Sequence, residues 1–130
     1  MHPLRVLLAD DHAGFRQILV SFLKTQRGVE VVGEAADGLD AVEQAERLRP
    51  DLVLMDIHMP GQNGIEATRV IKHRLPLTRV FILSMDAGEF YCRNNSNCAD
   101  GFIAKSSMKD KLLSVLSNER QIQTDRLNVA

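Results

Sequence analysis

Four positions carry groups able to do chemistry, and each ends a short apolar run: Asp10-Asp11, Asp56, Ser84 and Lys105. Carboxylates gathered in one cleft repel one another, and burial raises their pKa values. A hard cation resolves that conflict. Mg2+ prefers oxygen ligands and takes only one or two carboxylates, keeping several waters. An aspartate beside such a cation and a lysine can act as a nucleophile toward phosphorus, forming an aspartyl phosphate. In-line phosphoryl transfer needs little beyond positioning and charge neutralisation.

These groups need elements to position them. Leu52 to Met55 runs unbroken into Asp56, and the chain then breaks on Met59-Pro60-Gly61 and Asn63-Gly64. This is the pattern of a strand buried on both faces. Arg5 to Ala9 repeats it before Asp10-Asp11; Arg79 to Met85 makes a further strand ending at Ser84, and Gly101 to Lys105 a short last one. Val29, Val31 and Val32 make a further strand ending near Ala35. Between them lie amphipathic patterns. Phe15, Ile18, Leu19, Phe22 and Leu23 share one helical face, closed by Gly28. Ala41, Val42, Ala45 and Leu48 form a second face stopped by Pro50, and Ala67, Val70, Ile71 and Leu75 a third stopped by Pro76. Met108, Leu112, Val115 and Leu116 face inward on a last helix, after which the pattern thins into a polar tail. Strands alternating with helices predict an α/β fold, a doubly wound parallel sheet with helices on both faces. In the strand order 2-1-3-4-5, the first and third strands are neighbours at the switch point. Asp10, Asp11 and Asp56 then converge, with Ser84 and Lys105 on the other side of Asp56.

The segment 86–100 should hold a helix by alternation. Its Arg93-Asn94-Asn95-Ser96-Asn97 stretch costs about 2 kcal/mol in helix propensity, which predicts a short, frayed or mobile element.

A chain of 130 residues, 45% hydrophobic and 25% charged, makes one ordinary globular domain. Its net charge of -1 gives no basic footprint for nucleic acid. No apolar run is long enough to cross a membrane, and the N-terminus lacks a signal-peptide layout, so the expected location is cytoplasmic. Cys92 and Cys98 lack zinc partners and are expected to be free, reduced thiols. His12, His58 and His73 show no metal-ligand pairing and are expected at the surface.

Four motifs now stand in order: Leu8-Ala9-Asp10-Asp11-His12, Met55-Asp56-Ile57-His58-Met59-Pro60 with Gly64, Leu83-Ser84-Met85, and Gly101-Phe102-Ile103-Ala104-Lys105. Together they resemble the receiver domain of two-component response regulators over residues 4 to 117. The wording around Asp10 and Ser84 resembles the NarL/FixJ-type subgroup. The resemblance implies a CheY-like, flavodoxin-like (βα)5 fold with the five-stranded order 2-1-3-4-5. It implies that Asp56 is the phosphoacceptor, supplied by a sensor histidine kinase or a small phosphodonor such as acetyl phosphate. Mg2+ would be held by Asp10, Asp11, Asp56 and the backbone carbonyl of His58. Ser84 and Lys105 would bind the phosphoryl group, and Phe102 would swing inward as Ser84 moves. Residues 1–118 would be the receiver, and 119–130 a polar tail or the start of a linker to an output domain. Transcription would be controlled through a DNA-binding domain outside this chain, and a homodimer is compatible with the family.

Ser106 stands where many receivers have proline, so the Lys105–Ser106 bond is expected to be trans or its loop reshaped, since a cis bond here would cost about 2.5–4 kcal/mol. Met85 is bulkier than the residue usual there and is expected to narrow access to Asp56. His58 and Asp86 flank the site at positions that influence dephosphorylation in the family. An aspartate-nucleophile phosphatase would need a second Asp where His58 stands, and a flavodoxin-like cofactor binder would need a phosphate loop where Asp10-Asp11 stand. The expectation is therefore a phosphoaccepting switch rather than a turnover enzyme. The alternative is a receiver-like interaction module that works without phosphate.

Overall fold

The computed structural model describes residues 2–61, 63–85 and 99–127. Five strands, β1 (Leu4–Ala9), β2 (Val29–Ala35), β3 (Leu52–Asp56), β4 (Arg79–Ser84) and β5 (Gly101–Ala104), pair in parallel in the order β2-β1-β3-β4-β5. The helices are α1 (Ala13–Lys24), α2 (Gly38–Leu48), α3 (Gly64–Arg74) and α4 (Met108–Leu127), with a 3-10 turn over Lys105–Ser107 before α4. Among the described residues no helix is long and apolar enough to cross a membrane. The Asn-rich stretch, both cysteines and Asp86 lie outside the described residues.

The alternation of side chains along each strand divides the core in two. Leu7, Val53, Met55, Val80 and Ile82 point toward α2 and α3, where they meet Ala41, Ala45, Ala67 and Ile71. Val6, Leu8, Leu52, Leu54 and Leu83 point the other way, toward Leu19 and Leu23 of α1 and Leu112 and Leu116 of α4. Every residue of β3 is buried. The unbroken apolar run before Asp56 follows from this, because neither face of the strand meets water.

Local sequence sets the helix ends. Asp37 and Asn63 cap α2 and α3 by accepting from the backbone N–H of Asp40 and Glu66 at 2.8 and 2.9 Å. Arg49 ends α2 in the left-handed region at φ 49, just ahead of Pro50. Gly28 does not close α1 as expected. Thr25 occupies the C-cap, and Gly28 instead uses φ 74 to turn the chain into β2.

The larger difference from expectation lies at the C-terminus. The polar stretch from Glu119, expected to be a tail or linker, continues α4 without a break to Leu127. The buried stripe Met108, Leu112, Leu116 extends to Glu119, which is 2% exposed. Glu119 accepts from Arg79 Nε at 2.7 Å. Gln123 donates to Pro3 O and to Asp51 Oδ2, and Arg126 to Leu77 O. Hydrophobic periodicity ends at Leu116 because the next inward positions are polar and are matched by polar partners at the N-terminal edge of the sheet.

Candidate functional site

Strand register assembles the site. Ala9 pairs with Met55, so Asp10 and Asp56 follow side by side. Asp56 pairs with Leu83, one residue before Ser84, and Ser84 pairs with Ala104, one residue before Lys105. All of these groups therefore emerge at the carboxyl edge of the sheet, the usual ligand position in open α/β folds.

Asp10 and Asp56 are 1% and 4% exposed. Lys105 begins on the far side of Asp56, as expected, but its Nζ reaches across both carboxylates, 3.1 Å from Asp10 Oδ2 and 3.3 Å from Asp56 Oδ1. The ammonium also sits 4.4 Å from the centre of the Phe15 ring. Asp10 Oδ1 accepts the backbone N–H of His12 at 2.8 Å, and Arg16 donates to the Asp10 carbonyl. Asp11 stands at the rim, with its side chain 32% exposed. Oxygens of Asp10, Asp11 and Asp56 and a nitrogen of His12 lie within 4.8 Å of one another.

The loop leaving β3 is fixed by Gly64. Its N–H donates to Ile57 O at 2.8 Å. A Cβ there would fall 2.0 Å from the Asp56 carbonyl oxygen, so the backbone of α3 closes directly on the residue carrying the central carboxylate. Ile57 and Met59 are buried and anchor that loop, while His58 between them is exposed.

Burial pushes the Asp56 carboxyl above its ordinary range. Asp10, and more weakly Asp11, push the same way, while Lys105 pulls it back only in part. One Asp56 oxygen has Lys105. The other, Oδ2, is buried with no hydrogen-bond partner among the described residues. Carboxylates in excess of cations, with one buried oxygen unanswered, make a donor set that fits a hard divalent cation.

Ser84 is buried at the end of β4, and Met85 is 73% exposed beside it. Phe102 lies on β5 opposite Ile82 and is 38% exposed, so its ring faces partly outward. The Lys105–Ser106 bond is trans, and Lys105–Ser107 forms the turn that starts α4. Two neighbours were not legible as site residues. Phe15 reads as one more apolar position on α1, and only the fold sets it under Lys105. His12 is at the surface, as expected, with its side chain 67% exposed. Yet it belongs to the carboxylate cluster, and its adjacency to Asp10-Asp11 was the signal that could have found it.

The family model for the response regulator receiver domain matches residues 6–117. The chain belongs to that family. The receiver is 40% identical over 107 residues to the response regulator protein VraR of Staphylococcus saprophyticus, covering 81% of this chain and 51% of that protein. It thus spans about half the length of this relative. Among solved structures it is similar to the response regulator domain of Thermotoga maritima CheB, with 36% identity, a TM-score of 0.78, and coverage of 92% of this chain and 96% of that one. It is also similar to the receiver domain of a putative NarL from Mycobacterium tuberculosis, with 29% identity, a TM-score of 0.70, and coverage of 90% and 98%. The flavodoxin-like, CheY-like fold and the likeness to NarL-type regulators stand on these matches and on the strand order.

Proposed function

We propose that this receiver takes a phosphoryl group onto Asp56 from the phosphohistidine of a sensor histidine kinase, or from a small phosphodonor, in a Mg2+-dependent reaction. One observation carries the reading. A buried aspartate has one oxygen held by Lys105 and the other without a hydrogen-bond partner among the described residues, beside two further carboxylates. In the transfer, an Asp56 oxygen bonds to phosphorus as the bond from phosphorus to the donor imidazole nitrogen breaks. Asp10, Asp11, Asp56 and the backbone carbonyl of His58 would hold Mg2+, which when bound neutralises charge on the phosphoryl oxygens. Lys105 can exchange its carboxylate partners for a phosphoryl oxygen with little movement, since its aliphatic stem is packed and Phe15 supports its ammonium. Ser84 would donate to a phosphoryl oxygen, and Phe102, partly outside the core, would move inward as Ser84 shifts. Phosphate would thereby bias an existing equilibrium between two arrangements of the output surface.

The output in this reading is transcriptional, through a DNA-binding domain outside this chain, and the site of action is the cytoplasm. In this reading the receiver includes α4 to Leu127, since Glu119 and Gln123 are tied to the sheet edge. The test is intact mass after incubation with acetyl phosphate, with and without Mg2+, for the wild type and Asp56→Asn. The expected result is a Mg2+-dependent gain of one phosphoryl group, labile to hydroxylamine and lost in the variant. No gain under any condition would sink the reading in favour of a phosphate-independent interaction module.

A further inference from the structure

The carboxylate cluster contains one nitrogen donor. His12 Nδ1 lies 3.1 Å from Asp11 Oδ1 and 3.3 Å from Asp10 Oδ1. Adjacent ligands of an octahedral ion with bonds of about 2.1 Å are separated by about 3.0 Å, so these spacings are those of neighbouring ligands on one ion. The imidazole is placed by the backbone. His12 is the N-cap residue of α1, its N–H is held by Asp10, and its carbonyl accepts from Arg16 N at 2.9 Å. Its side chain makes no capping bond and is free to turn its nitrogen to the cleft. The buried Asp56 Oδ2, without a hydrogen-bond partner among the described residues, independently marks the same cleft as short of positive charge even with Lys105 present.

We propose that His12 is an additional ligand of this cleft and sets its metal preference, drawing it from Mg2+ toward first-row transition cations such as Co2+ and Ni2+. The proposal rests on the cluster being a cation site. A set of carboxylates and carbonyls suits Mg2+, whereas imidazole adds affinity along the transition series and gives Mg2+ little. His12 is thus a specificity-determining residue rather than part of the phosphoryl-transfer machinery.

The experiment is calorimetric titration of tag-free protein with Mg2+ and with Co2+ at about pH 8, above the ordinary range of imidazole. The Co2+ absorption band is followed in parallel, and displacement by Mg2+ identifies the shared site. In His12→Asn, which places a residue favoured at helix N-caps at the start of α1, Co2+ affinity should fall about 10-fold, the scale on which loss of one group at a metal site is felt, with a changed Co2+ band. Mg2+ affinity should move less than about threefold, since imidazole is a poor Mg2+ ligand. His12→Gln should behave alike, and thermal melts report whether each variant is folded. An equal change for both cations, with an unaltered Co2+ spectrum, would mean that His12 only pairs electrostatically with Asp10 and Asp11, and the proposal fails. If neither cation binds the wild type competitively, the cation site itself fails, and His12 with it.

Discussion

The two edges of the sheet both bury carboxylates, and they treat them in opposite ways. At the amino edge, Glu119 and Asp100 face Arg79 and Lys72. Arg79 donates to Glu119 Oε1 at 2.7 Å and lies 3.2 Å from Asp100 Oδ1, and Lys72 holds Asp100 Oδ2 at 3.0 Å. Asp100 also takes the N–H of Val80 at 2.8 Å. Two anions meet two cations. Although Glu119 Oε2 lacks a hydrogen-bond partner among the described residues, the charges balance. At the carboxyl edge, Asp10, Asp11 and Asp56 meet Lys105 and an exposed histidine. The balanced cluster joins α3, β4, the start of β5 and α4, and its work is structural. The unbalanced one stores repulsion that a cation can relieve, and a perturbed carboxylate of this kind is a marker of a functional site.

The sharpest way to break this contrast is at the balanced edge. Arg79→Met leaves Glu119 buried without its cation. It should cost about 2–3 kcal/mol, toward the low end for a broken buried pair because Arg79 is itself a quarter exposed. Urea denaturation would show this, and a loss below about 0.5 kcal/mol, the scale of surface pairs, would make the edge no more structural than the surface.

Gly64→Ala tests whether the unbalanced edge is held by backbone contact rather than by charge. The new Cβ would overlap the Asp56 carbonyl, and the shift it forces should cost about 1–3 kcal/mol. It should also slow phosphorylation by acetyl phosphate, because Asp56 moves with its backbone. An unchanged rate would mean that the loop yields without disturbing Asp56.

Asp56→Asn should have the opposite sign. Since the folded protein raises the Asp56 pKa above its unfolded value, the stability contributed by this group is fully present below about pH 4 and is lost as pH rises through the folded pKa. Without Mg2+, the variant should therefore melt a few degrees higher than wild type at neutral pH, with the gap closing in acid. Mg2+ should narrow the gap by raising the wild type more. A variant that melts lower at neutral pH would show that Lys105 already balances the site.

The smallest effect calibrates the others. Glu46→Gln breaks an exposed pair with Arg74 and should change stability by less than about 0.5 kcal/mol.

Much of this receiver was legible in its sequence because strands buried on both faces must be continuously apolar, and each such run ends where a polar group begins. That logic located Asp10, Asp56, Ser84 and Lys105 at strand ends, and the alternation of strands with helices implied the parallel sheet. Tertiary structure decided what periodicity cannot express. Glu119 ends the apolar stripe of α4 but not the helix, because Arg79 supplies a partner some 40 residues away in the chain. Lys105 serves Asp10 across 95 residues, and Phe15 joins the site only because the fold sets it against Lys105. Local pattern reports which side chains avoid water. Only the assembled sheet reports which charges are answered, because the energy of a buried charge belongs to the pair and not to the residue.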